Sequence, residues 1–273
     1  MVITQVSAFF DSKVEQLKDP HVITMMESSS YNPNYEKFIA NYSGVTETET
    51  EEIIIMNIAK FNFGNSELAS NVAIFNADDT RSIGALKLIE KLNTSSDNDI
   101  FVPYSFKTNG GYKLGENFTI HYQEKNYDYR IAGFFETTMM GTTSIGIIKF
   151  MLPQNSFAVL ADELDDVSKG IIISAVMEDK TQSTNLLNGF TKAFPQSTVS
   201  ETNSYIWGLD IEMVKSVDTL TINIIAIILV AFAAIIVLVS LVVIKYRVSN
   251  SIEDGMTNIG VLKAIGYTNR QIL

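Results

Sequence analysis

An uncharged apolar run of 25 residues limits the folds open to this chain more than any other feature. The run extends from Leu220 to Ile244, and only Thr221, Asn223 and Ser240 within it carry a hydrogen-bonding side chain. A helix needs about 20 apolar residues to cross the hydrocarbon layer of a bilayer, so this run can span it with some tilt. The alternative, a core helix of a soluble protein, rarely continues this long without a charge. We therefore predict one transmembrane helix over residues 220–244.

Charges on the two sides of the run predict its orientation. Lys245 and Arg247 follow it directly, and residues 245–273 carry a net charge of +2, against −13 for residues 1–219. Lys and Arg favour the cytoplasmic side of a membrane. We expect a plasma-membrane protein with residues 1–219 outside and residues 245–273 in the cytoplasm.

The external part is expected to be a folded, acidic domain. Its negative charge disfavours nucleic acid as a partner. The chain has no cysteine, so disulfides are excluded and the domain must be stable by its core alone. The apolar start, MVITQVSAFF, is too short to span and lacks the pattern of a signal peptide. It is interpreted as the outer end of a preceding membrane helix, with a frayed stub as the alternative.

Two similar segments predict the fold class. Residues 21–50 and 171–204 each begin with a β-branched strand, pass through a polar loop into a helix with aromatic residues, and turn at Gly44 or Pro195. New strands then open with Val-Thr-Glu-Thr at 45–48 and Val-Ser-Glu-Thr at 199–202. We predict an α+β external domain of two strand–helix–strand halves with a β-rich insertion, followed by a stalk and one transmembrane helix. Chance similarity of the two segments is the alternative.

The insertion is expected to be mostly strand, with one helix over residues 81–92 after a capping segment at 77–80. Its loop at 137–146, TTMMGTTSIG, could contact a partner or pack on its own domain. Residues 204–219 carry apolar side chains near helical spacing, at Ile206, Leu209, Met213 and Val217, and predict a stalk helix. Trp207 is expected to pack against the external domain.

The predicted organisation follows the chain in seven parts. They are the outer end of a preceding membrane helix with its stalk (1–20), a first half of a porter-like unit (21–66), the β-rich insertion (67–163), a second half (164–203), the stalk helix (204–219), the transmembrane helix (220–244) and a truncated cytoplasmic coupling helix (245–273).

Sequence motifs for catalysis are lacking. No P-loop and no G-x-S-x-G elbow occurs. His21 and His121 lie in predicted strands, where we expect structural roles, and the acidic clusters lack the pattern of a calcium loop. The sequence predicts no catalytic residue, cofactor or metal.

The tail IGVLKAIGYTNRQIL is expected to form a helix from about Thr257, after a polar stretch at 248–257. That helix would align Ile259, Leu262, Ile265 and Gly266 on one side. Gly260 and Gly266 each cost about 1 kcal/mol against alanine in a helix interior, but they would let another backbone approach closely. The alternative is a helix lying on the lipid surface.

This tail resembles the cytoplasmic helix of the MacB/FtsX-like permeases of ABC transporters, whose pattern is roughly I-G-[IV]-[LRM]-[KR]-A-[IL]-G-x-[ST]-x-x-[QD]-[IL]. The matching positions are Ile259, Gly260, Val261, Leu262, Lys263, Ala264, Ile265, Gly266, Thr268, Gln271 and Ile272. The runs at 101–103, 113–120 and 129–134 are also similar to the family's external domain. Family members often carry Arg or Lys and Glu before the Ile-Gly pair, where this chain has Met256-Thr257-Asn258.

The resemblance implies a permease subunit that carries the movement of a separate cytoplasmic ATPase to the external domain, in export or mechanotransmission. The implied partners are that ATPase, membrane lipid and a second permease copy or half, and membrane helices are implied before residue 1 and after Leu273. ATPase coupling is expected at Ile259, Gly260, Leu262, Lys263, Ala264, Ile265, Gly266 and Arg270. The alternatives are the sensing half of a bacterial receptor, whose linker would show heptads, and a membrane-anchored adhesion domain.

Overall fold

A computed structural model describes residues 2–195, 206–268 and 270 of the 273-residue chain. The chain divides into two compact units, residues 1–220 and 221–273. Six α-helices are described: α1 (Val2–Leu17), α2 (Pro33–Ala40), α3 (Ser105–Thr108), α4 (Gln154–Glu163), α5 (Ser183–Ala193) and α6 (Ile211–Ala264).

The strands of the first unit form one sheet with ten members among the described residues. They are β1 (Val22–Glu27), β2 (Val45–Phe63), β3 (Ser66–Asn76), β4 (Leu88–Lys91), β5 (Asp99–Pro103), β6 (Asn117–Tyr122), β7 (Lys125–Phe135), β8 (Ile147–Leu152), β9 (Lys169–Met177) and β10 (Trp207–Asp210). Their order is β10-β1-β9-β2-β3-β8-β5-β7-β4, and β6 pairs with both β2 and β7. The long β2 extends from one half of the sheet into the other.

A sheet with packed helices, followed by one long C-terminal helix, confirms the predicted α+β fold class. Two strand–helix–strand units occur in it. The first is β1–α2–β2 and the second is β9–α5–β10; β9 lies between β1 and β2 and is antiparallel to both. The helix α2 begins where its sequence favours it, because Asn32 accepts a hydrogen bond from the Asn34 N–H at 2.9 Å and Pro33 occupies the first turn. The predicted strand at 199–202 lies outside the described residues.

Aromatic rings join the two helices of these halves. Tyr35 and Phe38 on α2 meet Phe190 and Phe194, at the end of α5, with ring centroids 4.8–6.0 Å apart. Each contact is edge-on, the arrangement that aromatic quadrupoles favour. The helices therefore cover one face of the β1–β9 region as a pair.

The insertion, β3 to β8 with α4, shares one core cluster with residues 54–61 of β2, and one prediction for the insertion was wrong. Residues 81–92 do not form a helix: Gly84 has φ +60° and Leu88–Lys91 form β4. Arg81 is buried and donates from Nε to Glu51 at 2.5 Å, and this nonlocal ion pair holds the segment out of a helix. In the loop at 137–146, Met139 and Met140 are buried, so this loop packs on its own domain.

The stalk helix was predicted to begin too early. Trp207–Asp210 form β10, paired antiparallel with β1, and α6 begins only at Ile211. Asp210 caps this helix, since its Oδ1 accepts the Met213 N–H at 2.9 Å. Sheet pairing thus buries Leu209 and leaves Met213 half exposed, although helical spacing places both on one face.

The apolar run lies within α6. Every large apolar side chain from Ile224 to Ile244 is exposed, and α6 is the one described helix long and apolar enough to cross a membrane. No break separates this run from the tail, because α6 continues to Ala264 through the polar stretch at 248–257. The predicted separation of span and tail was therefore wrong.

Candidate coupling site

The tail residues occupy the last turns of α6 and the cap that follows. Ile259, Gly260, Leu262, Lys263 and Ala264 are helical. Gly260 and Ala264, four residues apart, lie on the same face, and a side chain at Gly260 would meet no atom of this chain within 4 Å. Two small residues at this spacing make a notch into which another helix could fit closely.

Gly266 ends the helix instead of continuing it. Its φ is +98°, its N–H donates to Lys263 O at 3.1 Å, and the Tyr267 N–H donates to Leu262 O at 3.1 Å. These two bonds around a left-handed residue form a Schellman cap. The prediction that Gly266 is a helical position for close approach was wrong, and Ile265 lies in the cap with it.

Most of the remaining tail side chains face solvent. Ile265 is 67% exposed, Lys263 and Arg270 are exposed, and Leu262 is half-buried. Lys263 in the last turn also interacts favourably with the negative end of the helix dipole. Positions 269 and 271–273 of the motif lie outside the described residues.

The first turns of α6 are tied to α1 by a charge cluster that the sequence did not predict. Lys215 Nζ on α6 lies 2.8 Å from Asp11 Oδ2 on α1, and Lys180 Nζ lies 3.5 Å from Asp11 Oδ1 and 3.1 Å from Glu15 Oε1. Val14 of α1 and Val214 of α6 also belong to one buried cluster. We call Asp11, Val14, Lys180, Val214 and Lys215 the helix junction.

The same end of α6 contacts the loop at 137–146. Thr142 donates from its hydroxyl to Asp218 Oδ1 at 2.9 Å. Burial raises the pKa of Asp218, and hydrogen bonds from Thr142 and Ser144 oppose that rise. The loop that carries the buried methionines therefore also holds α6.

The end of α1 is anchored by a buried carboxylate. Asp19 accepts hydrogen bonds from the Thr138 N–H at 2.5 Å and the Thr138 hydroxyl at 2.7 Å. Burial raises the pKa of Asp19. Burial lowers the pKa of neighbouring Lys149 to about 8, although the negative charges of Asp19 and Glu51 act to raise it. Lys149 Nζ also lies 4.4 Å from the centre of the Phe75 ring.

Only one of these groups had a signal in the sequence. Lys149 interrupts the apolar strand IIKFML, where a lone lysine predicts a buried charge with a partner. The pair of Asp11 and Lys215 has no local pattern, since the two are 204 residues apart.

The histidines have structural contacts. His21 Nδ1 accepts the Met177 N–H at 3.0 Å, and His121 Nδ1 lies 2.7 Å from Asn126 Oδ1. In the described parts of the chain, no three His, Asp or Glu side chains converge as metal ligands would.

Comparison with known proteins gives a family match at the C-terminal end of the chain. The family profile described as "FtsX-like permease C-terminal" matches residues 230–273, the last part of α6 and the cap. No curated protein matches the chain.

Two solved structures give weak likenesses. The periplasmic region of MacB from Actinobacillus actinomycetemcomitans is 12% identical, with a TM-score of 0.30 over 75% of this chain and 96% of that one. The extracellular domain of the noncanonic ABC-type transporter YknZ from Gram-positive bacteria is 9% identical, with a TM-score of 0.29 over 68% of this chain and 99% of that one. TM-scores this low carry no weight for fold or function. The match at residues 230–273 confirms the prediction that this chain resembles the FtsX-like permeases.

Proposed function

We propose that this chain is the permease subunit of an ABC transporter, and that it transmits ATPase-driven movement across the membrane to the β-sheet domain. The family match at residues 230–273 supports the permease assignment. ATP hydrolysis would occur in a separate cytoplasmic subunit, and this chain would not be an enzyme. The movement would serve either export or mechanical activation of an external partner.

The continuity of α6 is the observation that carries this proposal. Its first turns include Val214 and Lys215 of the helix junction, and its last turns include Gly260 and Lys263 of the family motif. The hydrogen bonds of a helix continue from residue to residue. A displacement of the last turns would therefore reach the first turns without crossing a loop. α6 would act as the lever between the ATPase and the external domain.

The charges and exposed apolar side chains of α6 support the proposed orientation. From Ile224 to Ile244, every side chain except that of Ser240 is apolar, and the large ones are exposed. Such a surface is suited to contact with lipid. Lys245 and Arg247 come directly after it and favour the cytoplasm. The β-sheet domain would then lie outside, and the tail would lie at the cytoplasmic ATPase.

At the ATPase end, the notch of Gly260 and Ala264 would receive a helix or loop of the partner. Lys263 would add a charge contact, and Leu262 and Ile265 would supply apolar surface. At the outer end, the ion pairs of Asp11 and the buried cluster that includes Val14 and Val214 would make α1 and the base of α6 move with the sheet. A second permease copy or half would complete the transporter.

The test compares two glycines of α6 in this chain, co-expressed with a cytoplasmic ABC ATPase. Gly260→Leu fills the notch, while Gly255→Leu is the matched control, because a side chain at either glycine meets nothing in this chain. Both substitutions raise helix propensity by a similar amount, about 1 kcal/mol. The measurements are membrane insertion, co-purification of the ATPase and its ATP hydrolysis rate with and without the permease.

We expect Gly260→Leu to insert normally but to lose the permease-dependent change in ATP hydrolysis, and Gly255→Leu to keep it. Normal coupling in Gly260→Leu would overturn the assignment of the notch. A neighbouring gene for a kinase, with no ATPase that co-purifies, would favour the receptor.

A further inference from the structure

A cleft of about 400 Å³ lies between α4 and one edge of β7. One wall is a stripe of α4 that includes Ser156, Val159 and Glu163, and the other is β7 from Asn126 to Tyr129. Asp97 and Asn98, in the turn before β5, close one end. Its volume lies within the range of protein ligand sites.

The β7 edge in this cleft has no partner strand. Ile131 N–H donates to Glu116 O at 3.0 Å, on the β6 side, while Arg130 N–H donates to Asn98 O at 2.6 Å, on the opposite side. Main-chain groups of alternate residues in a strand point the same way, so Asn126 and Asp128 also face away from β6. Side chains of Thr119 and Asp128 touch at 2.5 Å, as expected for a pair that does not exchange main-chain bonds.

Main-chain N–H and C=O groups of Asn126 and Asp128 therefore point into the cleft. No protein group in the described residues bonds to them. β5 would continue alongside them, but it begins only at Asp99, opposite Arg130. The sheet thus leaves room for a short extended segment to pair beside β7.

A buried hydroxyl in the lining of the cleft is a second, independent observation. Tyr127 is 8% exposed, and its hydroxyl has no hydrogen-bond partner although it is buried. Buried hydroxyls nearly always have a partner. Tyr127 and Glu163 both line the cleft, Tyr127 from β7 and Glu163 from α4.

The charge of the cleft favours a cationic occupant. Asp97, Asp128 and Glu163 are among its lining residues, and none of the described lysines or arginines is. Lys125 lies 3.0 Å from Glu163, and more than half of its side chain is exposed. Val159, 66% exposed, offers apolar surface to an aliphatic chain that ends in a charge. A lysine or arginine side chain has both parts.

We propose that this cleft binds an extended polypeptide segment that pairs with the edge of β7 at Asn126 and Asp128 and directs a basic side chain towards Glu163 and the Tyr127 hydroxyl. The segment adds one short strand to the sheet, and main-chain bonds supply affinity while the cleft selects the side chain. This inference rests on the external domain alone and does not depend on the coupling role of α6.

The test uses the full chain in detergent micelles and three labelled hexapeptides: alternating valine and lysine, alternating valine and glutamate, and the valine–lysine peptide with every amide N-methylated. Fluorescence anisotropy gives the affinity of each. We expect the lysine peptide to bind, the glutamate peptide to bind at least about tenfold more weakly and the N-methylated peptide to lose binding.

Variants locate the site. Glu163→Gln and Tyr127→Phe are each expected to weaken the binding of the lysine peptide by about threefold or more. Glu67→Gln, which changes an exposed carboxylate on β3, is the control and should leave the binding unchanged. Equal binding of the N-methylated peptide would rule out strand pairing. Absence of lysine-peptide binding, or equal losses in Glu67→Gln and Glu163→Gln, would overturn the proposal.

Discussion

The ion pair between Asp11 and Lys215 gives the sharpest test of the helix junction. Their side chains are 29% and 18% exposed and lie 2.8 Å apart, so water screens them only in part. Coulomb attraction at that distance is about 6 kcal/mol at an effective dielectric constant of 20, and desolvation of both charges cancels most of it. We expect a net coupling of about 1 kcal/mol between the two residues.

A double-mutant cycle measures that coupling. Asp11→Asn, Lys215→Met and the double variant are compared with the parent in thermal unfolding. Asp11→Asn also leaves Lys180 facing Lys215, so this single change is expected to cost about 2 kcal/mol, or a fall in Tm of about 4–8 °C for a domain of this size. Trp207, the sole tryptophan, lies in the strand directly before α6 and reports unfolding at the junction.

An exposed pair provides the control. Lys125 and Glu163 have side chains 58% and 45% exposed, and the cycle of Lys125→Met with Glu163→Gln should give less than about 0.5 kcal/mol. A coupling near zero between Asp11 and Lys215, equal to that of the control, would refute the junction as a stabilising link between α1 and α6.

Three further predictions concern the anchor and the cap. Asp19→Ala should destabilise the domain by about 3 kcal/mol or more in urea unfolding, because the Thr138 N–H and Lys149 lose a buried partner, and Asp19→Asn should cost less. The pKa of Lys149 is lower in the folded than in the unfolded chain, so the free energy of unfolding should rise between pH 8 and about 10.4. This rise should be absent from Lys149→Met. Parallel pH profiles of the parent and the variant would contradict the buried charge. Gly266→Ala should cost about 1 kcal/mol through its left-handed conformation and speed amide exchange at Tyr267, whereas unchanged exchange would contradict the cap.

Local patterns in the sequence were sufficient to predict several helices. The polar loop within residues 21–50 predicts a helix after it, and α2 follows, beginning at Pro33. The uncharged run predicts a long lipid-compatible helix, and α6 contains it. Aromatic residues in the two half-repeats predict two similar helices, which pack on each other through those rings. Each of these features depends on neighbours in sequence.

Nonlocal pairing explains the errors. Ile206, Leu209 and Met213 have helical spacing, but the free edge of β1 binds residues 207–210 as a strand. Arg81 is drawn into an ion pair with Glu51, 30 residues away, which a local helix pattern cannot include. The junction of α1 and α6 likewise brings together residues that only the completed sheet makes adjacent.

The tail illustrates a subtler limit. A glycine within an apolar pattern fits both a packing notch and a helix end, and the sequence alone does not distinguish them. Gly260 is in the helix with free space around it, while Gly266 closes the helix with φ +98°. The two glycines of the motif therefore have different physical roles.

Movement of the base of α6 in response to ATP tests the central proposal most directly. The 273 residues contain no cysteine, so a single cysteine at half-exposed Met213 can carry an environment-sensitive fluorophore in this chain, co-expressed with a cytoplasmic ABC ATPase. The account predicts a change in emission when ATP binds, its loss in Gly260→Leu and its retention in Gly255→Leu. No ATP-dependent change in the parent, or the same change in Gly260→Leu, would contradict transmission through α6.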